Sequence, residues 1–341
     1  MRSSISTIVL LCLFLCAILP LEGVAQTTSD QDDVIRVETD LTNLFFTAGG
    51  KDARFVTALR QEDFRVTEDG QPQKILTFQR ETDRPLSIAF LIDVSGSQES
   101  TLSQEKAAAR GFIETIIRSS KDQAAIIPFT GAAFLEQGLT RDVLSVYRAL
   151  ERVEVATPAY LGSGRPISGI SSGPGMPAPP SEGSTAIWEA IVLTSREVLG
   201  PNQDQRRRAI ILLTDGHDTS SRLLRREAID HALAAETVIY AIGIGGKRFG
   251  IDHDAVRAVA EGTGGRAFFP KRDGDLKIAF AEIEQELRSQ YLIAYSPSNK
   301  SHNGAYRSVL IEITNPALQK DQLKLRYRHG YFAKSNQKSG R

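Results

Sequence analysis

Four short apolar runs, separated by longer amphipathic stretches, constrain the fold of this chain most. They are Ile88–Ile92, Ala124–Phe129, Ala209–Leu213 and Val238–Ile242. None alternates strictly between apolar and polar residues, which predicts strands buried on both faces. Strands that alternate with amphipathic helices build a parallel sheet covered by helices on both sides. The sequence therefore predicts an α/β fold with a doubly wound, mostly parallel, Rossmann-like sheet.

The stretches between and after these runs have helical periodicity. Helices are predicted over Arg141–Val153, Thr185–Leu199, Leu223–Glu236 and Asp254–Glu261, with one before them and one after. In the first helix Phe112, Ile113, Ile116 and Ile117 share one face, and Thr101 and Gln104 have the spacing of a capping box at its start. In the last helix Leu276, Ala279, Phe280, Ile283 and Leu287 form one apolar stripe.

The two ends of the chain have a different sequence pattern from the region between them. Residues 34–82 and 290–333 are rich in β-formers, and "TEDGQPQK" in the first flank contains an Asp-Gly turn. Either flank alone would be a small sheet of marginal stability. We therefore predict that both flanks form one β-sandwich-like module, with the α/β domain, residues 83–289, inserted between them. Residues 334–341 are predicted to be a tail.

A segment rich in Gly, Pro and Ser interrupts the α/β domain at residues 157–184. A loop of this length inside a domain is unusual and is often functional. Because it leads directly into the helix that begins near Thr185, we expect it at the rim of the same face as Thr185.

The N-terminus has the pattern of an export signal. Arg2 precedes an apolar run, Ile8–Leu21, and small residues follow at Gly23–Ala25. We predict a signal peptide at residues 1–25, a polar leader at 26–33, and a periplasmic or extracellular mature protein. An uncleaved anchor is the alternative, although the run is short for a membrane span. No span is expected in the mature chain.

Two bulk properties exclude classes of function. Lys plus Arg and Asp plus Glu each number 41, so charge gives no case for binding nucleic acid or an anionic membrane. Cys12 and Cys16 both lie in the predicted signal peptide. The predicted mature chain therefore has neither a zinc–thiolate site nor a cysteine nucleophile.

Oxygen-bearing side chains follow two of the apolar runs. Asp93 and Asp215 each close such a run, and ligands bind open parallel sheets beyond the carboxyl ends of the strands. Ser95 and Ser97 extend the first aspartate into D-x-S-x-S, and Thr185 stands before a predicted helix. Hard oxygen ligands suit Mg²⁺ or Mn²⁺ better than zinc. The structural alternatives are a plain Asp-Gly turn and a serine helix cap.

The segments "DVSGS", "GSTAIWEA" and "LLTDG", in this order, resemble the metal-ion-dependent adhesion site of the von Willebrand factor type A domain family. The resemblance covers about Leu86 to Glu286, and the flanks look like those of exported A-domain proteins of the acidobacterial type. It implies that Ser95, Ser97 and Thr185 bind the metal directly, while Asp93 and Asp215 hold it largely through water. It also implies an open metal position for an Asp or Glu carboxylate of a protein partner, and no enzymatic activity.

Other motifs in the sequence indicate a catalytic or ligand-binding site less strongly than the three segments above do. A metal-assisted hydrolase with Asp215 and His217 is the alternative function, since a general base must lie within reach of a metal-bound water. "GISSG" at 169–173 lacks the strand-to-helix context of a nucleophile elbow, and "GIGG" at 243–246 lacks the full dinucleotide fingerprint. Arg206–Arg208 is predicted to be a solvated edge, with contact to an anionic ligand as the alternative.

Overall fold

The computed structural model describes residues 40–50, 55–156, 165–167, 184–200, 206–245, 250–272 and 274–335. The predicted signal peptide and leader lie outside these residues. So do the "GISSG" motif, most of the 157–184 loop and most of the 334–341 tail.

The strands, in chain order, are β1 (Thr42–Gly49), β2 (Phe64–Glu68), β3 (Gln71–Gln73), β4 (Ile75–Arg80), β5 (Leu86–Asp93), β6 (Gln123–Phe129), β7 (Phe134–Leu135), β8 (Gln137–Thr140), β9 (Arg165–Pro166), β10 (Arg207–Thr214), β11 (Thr237–Gly243), β12 (Ala267–Phe268), β13 (Tyr291–Tyr295), β14 (Tyr306–Ile313), β15 (Lys324–Tyr327) and β16 (Gly330–Phe332). The α-helices are α1 (Leu102–Ile116), α2 (Val143–Arg152), α3 (Ile187–Leu193), α4 (Arg225–Ala234), α5 (His253–Gly262), α6 (Asp275–Arg288) and α7 (Pro316–Lys320). A π-helical turn, Thr194–Leu199, continues α3.

The central sheet has the strand order β12-β11-β10-β5-β6-β8. All its pairings are parallel except that of the edge strand β8 with β6. The chain goes from β5 outward to β6 and later builds β10, β11 and β12 on the other side of β5. The order therefore reverses between β5 and β10, which is where such sheets bind ligands. The predicted fold class, a doubly wound, mostly parallel α/β sheet, is confirmed.

Helices cover both faces of this sheet, as the fully buried strands require. One core joins α1, α2 and α6 to the sheet, and within it the rings of Phe112 and Phe280 stack with centroids 4.9 Å apart. The other core joins α3, α4 and α5 to the opposite face. The predicted capping box at α1 is wrong: Thr101 makes no side-chain cap bond, and its hydroxyl donates to the carbonyl of Gln98 instead.

Two four-stranded antiparallel sheets combine strands from both flanks, in the orders β15-β1-β13-β4 and β16-β14-β2-β3. They share one core. Within it the rings of Phe46 on β1 and Phe64 on β2 meet edge to face with centroids 5.2 Å apart. Strand β1 pairs with β13 and β15 in the first sheet, and β2 pairs with β14 in the second, so each sheet contains strands from both flanks.

Residues 165–167, inside the 157–184 loop, are attached to the domain. Arg165 and Pro166 pair with Leu135 and Phe134, and Ile167 donates its N–H to the carbonyl of Ala133. Within the described part of the chain, no helix has both the length and the apolar character of a membrane span.

The structure contradicts the prediction of a solvated edge at Arg206–Arg208. Arg207, the first residue of β10, is only 5% exposed. Its Nη1 donates to the carbonyl of Leu287 and to Oε1 of Gln290, each over 2.6 Å. Burial follows from long-range packing, because α6 and the start of β13 cover this end of the strand.

Candidate metal centre

Asp93 and Asp215 stand at the carboxyl ends of neighbouring strands. Asp93 is the last residue of β5, Asp215 follows β10, and the two strands pair in register up to Leu213 and Ile92. Both carboxylates are buried. The structure thus brings the two predicted aspartates to the strand-order reversal, where a ligand crevice is expected.

Asp93 is held by the backbone and by the next strand. Its Oδ1 accepts the N–H of Ser95 over 3.0 Å, and its Oδ2 accepts the hydroxyl of Thr214 over 2.7 Å. The Thr214 hydroxyl in turn accepts the N–H of Gly216 over 3.1 Å. Both oxygens of Asp93 therefore fix the loops around the site.

Ser95 and Ser97 bring two hydroxyls together. A 3₁₀ turn, Gly96–Gln98, follows β5 and places their Oγ atoms 3.0 Å apart. Adjacent oxygens around an octahedral Mg²⁺, with bonds of about 2.1 Å, are separated by about 3.0 Å. The serine pair thus has the spacing of two neighbouring ligands of one such ion.

The residues after Asp215 hold the Thr185 loop in place. The N–H of Thr185 donates to the hydroxyl of Thr219 over 2.8 Å, and the Thr185 carbonyl accepts the N–H of Thr219 over 2.9 Å. Oδ2 of Asp218 accepts the N–H of Ile187 over 2.8 Å and caps α3. The polar segment "DTSS" is therefore a positioning segment for Thr185, a role that the sequence prediction missed.

The backbone conformation and close packing at position 216 explain why glycine follows the aspartate in "LLTDG". Its φ is +84°, a value that other residues rarely adopt. A Cβ at this position would lie 2.8 Å from Cγ2 of Val256 and 2.9 Å from the carbonyl of Asp252. The glycine lets the turn pack against the start of α5, where the N–H of Asp252 donates to the carbonyl of Asp215.

The site is electrostatically unfavourable without a cation. Burial raises the pKa of Asp93 to about 6, although hydrogen bonds from Ser95 and Thr214 oppose the shift, and the charge of Asp215 raises it further. An enclosed carboxylate beside a second one favours the proton-bound form. A divalent cation would supply the missing positive charge.

Glu105 is a third buried carboxyl near the site, and the sequence prediction missed it. It is 2% exposed, and both of its carboxyl oxygens are enclosed by the protein. Burial raises the pKa of Glu105 to about 8, although the nearby hydroxyl of Thr101 opposes the shift, and the charges of Asp93 and Asp215 add to it. The periodicity of α1 contained the signal, because Leu102, Glu105, Ala109 and Phe112 follow one buried stripe.

The alternative hydrolytic pair is not assembled as a catalytic dyad. His217 contacts Asp215 through its backbone N–H, which donates to Oδ1 over 3.0 Å. The Nε2 atom of its ring is enclosed, with no hydrogen-bond partner in the described part of the chain. The imidazole is therefore not oriented by the carboxylate that this mechanism assigns to it.

The donor set fits a hard divalent cation. It combines two buried carboxylates with the paired hydroxyls of Ser95 and Ser97 and the buried Thr185. Over the residues that the structure describes, no group of three or more His, Cys, Asp and Glu side chains is arranged to hold a metal. The candidate site is built from carboxylates and hydroxyls together.

Residues 88–217 match the family model of the von Willebrand factor type A domain. This range contains all five predicted site residues, Asp93, Ser95, Ser97, Thr185 and Asp215. A search of the curated proteins found no similar sequence.

Among solved structures, the chain is similar to a conserved hypothetical protein, BatB, from Bacteroides thetaiotaomicron, with 20% identity over 60% of this chain and 100% of that one and a TM-score of 0.43. It is similar to proximal thread matrix protein 1 from the mussel byssus "with zinc occupied MIDAS motif", with 17% identity over 64% and 50% of the chains and a TM-score of 0.49. A von Willebrand factor type A protein from Catenulispora acidiphila has 12% identity over 89% and 76% of the chains and a TM-score of 0.48.

Proposed function

We propose, from the match of residues 88–217 to the von Willebrand factor type A domain model, that this protein is a metal-dependent protein-binding module. It holds one Mg²⁺ or Mn²⁺ at the carboxyl ends of β5 and β10. Through that ion it engages an Asp or Glu carboxylate of a protein partner. The observation that carries the proposal is the Ser95–Ser97 hydroxyl pair, 3.0 Å apart, beside the buried Asp93.

The division of roles that we propose is the one that the family resemblance implies, and the hydrogen bonds of Asp93 are compatible with it. Ser95, Ser97 and Thr185 offer neutral hydroxyl oxygens as direct ligands. Both oxygens of Asp93 already accept bonds from Ser95 and Thr214, which favours indirect support of the ion through water. Asp215 gives the second negative charge.

Such a donor set favours binding over hydrolysis. Neutral ligands leave the dication with much of its charge, so an anionic carboxylate from a partner is an attractive ligand. Hydrolysis would need a base aimed at a metal-bound water, and His217 is not hydrogen-bonded to the Asp215 carboxylate through its ring. The hydrolase alternative is therefore not favoured.

The place of action that we propose is outside the cytoplasm, in the periplasm or beyond the cell. The support is the sequence of residues 1–25, in which a positively charged residue is followed by an apolar run and then by small residues. N-terminal sequencing of the exported protein should give a start near Gln26. A start at Met1 with membrane retention would support the anchor alternative.

The metal site is tested by titrating the mature protein with Mn²⁺ and counting bound ions by electron paramagnetic resonance. Ser97→Ala removes one proposed ligand and should weaken Mn²⁺ binding at least about tenfold, since a ligand contact is worth more than an ordinary hydrogen bond. Ser100→Ala is the matched control, because Ser100 is exposed in the same segment. Equal affinities for the two variants would refute the assignment.

Partner binding is tested on the envelope fraction of the source cells. Wild type should retain a protein in the presence of Mg²⁺ and release it with EDTA, whereas Asp93→Ala should retain none under either condition. Changing the acidic residues of the retained protein to amides should abolish capture. Retention that is insensitive to EDTA would contradict the proposed role of the cation.

A further inference from the structure

Thr130 is a buried residue beside the candidate metal site and is not one of the predicted site residues. It directly follows β6, the neighbour of β5 in the central sheet, and is 4% exposed. Its hydroxyl donates to the carbonyl of Ser184 over 2.6 Å, and its own carbonyl accepts the N–H of Ala186 over 2.7 Å. Thr130 is therefore bonded to the residue on each side of Thr185.

The last residue of β6 is bonded to the other loop that bears proposed ligands. Phe129 is in register with Asp93, and its carbonyl accepts the N–H of Val94 over 2.9 Å. Val94 begins the turn that contains the two serines of the site. The end of β6 thus connects the serine pair with the Thr185 loop.

The Thr185 loop is held from two strands. Thr219, which comes after β10, bonds to the backbone N–H and the carbonyl of Thr185 itself, whereas Thr130 bonds to the residues on either side of it. Strands β10 and β6 lie on opposite sides of β5 in the sheet. These bonds restrain the backbone that carries the Thr185 hydroxyl, and with it the separation of this hydroxyl from the serine pair.

A restrained ligand matters most for a small ion. Mg²⁺ requires near-ideal octahedral geometry with bonds of about 2.0–2.1 Å, whereas Ca²⁺ accepts flexible geometries with bonds of about 2.3–2.6 Å. The choice between the two ions depends on the size and the flexibility of the site. The Oγ atoms of Ser95 and Ser97, 3.0 Å apart, already have a spacing that suits the smaller ion. A third ligand held as firmly would disfavour the larger one.

We infer that Thr130 is a positioning residue that makes the metal site selective for Mg²⁺ over Ca²⁺. Its hydroxyl restrains the Ser184 carbonyl, and thereby the backbone that carries the Thr185 ligand. Thr130 acts on that ligand through the backbone and does not bind the ion. The inference rests on the proposed function, because it takes Thr185 as a ligand of the cation.

Competition against bound Mn²⁺ tests the selectivity. Mg²⁺ or Ca²⁺ is added to the mature protein loaded with Mn²⁺, and the released Mn²⁺ is followed by electron paramagnetic resonance. Thr130→Val keeps the shape of the side chain and removes the bond to Ser184. Groups that orient a metal ligand typically change metal affinity by roughly 10- to 100-fold, so the affinity for Mg²⁺ should fall about tenfold, with a smaller fall for Ca²⁺. Thr130→Ser keeps the hydroxyl and should keep the wild-type ratio of the two affinities.

Thr263→Val is the matched control. Thr263 is also 4% exposed, and its hydroxyl also donates to a backbone carbonyl, that of Ala260 over 2.9 Å. It lies near the start of β11, where it accepts the N–H of Ile239, at the opposite edge of the sheet from the metal site. The control should keep the wild-type ratio of Mg²⁺ to Ca²⁺ affinity. An equal fall in both affinities in Thr130→Val, or a ratio equal to that of the control, would overturn the inference.

The results distinguish this inference from the proposed function. If Ser97→Ala and wild type bind Mn²⁺ equally well, the metal site is wrong and the inference fails with it. If Ser97→Ala weakens Mn²⁺ binding while Thr130→Val leaves the ratio unchanged, only the role of Thr130 is wrong.

A measurement without metal checks the restraint itself. In EDTA the amide hydrogen of Ala186 should exchange faster in Thr130→Val than in wild type, because the loop opens more often when one of its two bonds to Thr130 is lost. Thr263→Val should leave this rate unchanged. An Ala186 amide that exchanges as slowly in Thr130→Val as in wild type would show that the hydroxyl does not restrain the loop.

A crystal structure of wild type with Mn²⁺ decides the matter even if Thr130→Val does not fold. The Thr185 hydroxyl should coordinate the ion while the hydroxyl of Thr130 keeps its bond to the Ser184 carbonyl. A Thr185 that coordinates the ion only with this bond broken would overturn the inference.

Discussion

The hydroxyl of Thr214 donates to Oδ2 of Asp93 over 2.7 Å and so joins the ends of β10 and β5 at the candidate metal site. Thr214 is 1% exposed, and its oxygen also accepts the N–H of Gly216. One buried hydroxyl therefore fixes the Asp93 carboxylate and the turn that contains Asp215.

Thr214→Val should remove both bonds while preserving the shape of the side chain. A hydrogen bond to a charged group is worth about 1.5–3 kcal/mol, so we expect the affinity for Mn²⁺ to fall by roughly 10- to 100-fold. Thr214→Ser keeps the hydroxyl and should bind as wild type does. Isothermal titration calorimetry measures this, and equal affinities for the Val and Ser variants would show that the bond does not support the site.

Without metal, stability should fall as pH rises. The pKa of Asp93 is raised from 3.8 to about 6, and that of Glu105 from 4.5 to about 8. A carboxyl whose folded-state pKa is raised contributes stability that is complete below its unfolded pKa and lost as pH rises through the folded value. In EDTA the free energy of unfolding should therefore decline between about pH 4 and pH 8.

Glu105→Gln separates the two carboxyls in that experiment. The variant should lose the decline above about pH 6, because an amide does not ionise, and should keep the part that Asp93 produces below it. Urea unfolding at a series of pH values measures both. An unchanged slope above pH 6 would mean that Glu105 is already ionised in the folded protein, as in the unfolded chain, and that its pKa is not raised.

Asp218 should affect metal binding through its role in positioning Thr185. It caps α3 from a loop distant in sequence, whereas Asp142 is the N-cap residue of α2 itself and accepts the N–H of Leu144. Asp218→Ala and Asp142→Ala should each cost about 0.5–2 kcal/mol of stability as lost caps. Only Asp218→Ala should also weaken Mn²⁺ binding. If both variants bind Mn²⁺ equally well, the "DTSS" segment is merely structural.

The central fold was predictable because its signals are local and periodic. The runs at Ile88–Ile92 and Ala209–Leu213 became β5 and β10, and the aspartate after each one indicated the ligand-binding edge. Neighbouring parallel strands have their carboxyl ends at the same edge of the sheet. The sequence alone therefore predicts that these two motifs, far apart in the chain, lie close together.

The sequence prediction failed where the environment of a side chain depends on long-range packing or on the local backbone conformation. Arg207 is buried because α6 and β13 cover it, and no local pattern reveals that cover. Thr101 does not cap α1 because its backbone is in the αR region, with φ −114° and ψ −25°, and not in the extended region that an N-cap residue adopts. The burial of Glu105 could have been predicted from the helical periodicity of α1. The predicted apolar face began at Phe112 and therefore did not include it.

Removing the C-terminal flank should unfold the N-terminal one. Strand β1 pairs with β13 and β15, and β2 pairs with β14, so deletion of residues 290–341 leaves both β1 and β2 without these partners. It also exposes Phe46, which is 0% exposed in the shared core. Small unpaired sheets are marginal in water. Amide hydrogen exchange should therefore show that β1 and β2 lose protection, while β5 and β10 stay protected by the helices on both faces of the central sheet. Protection of β1 that survives the deletion would show that the flanks are separate domains.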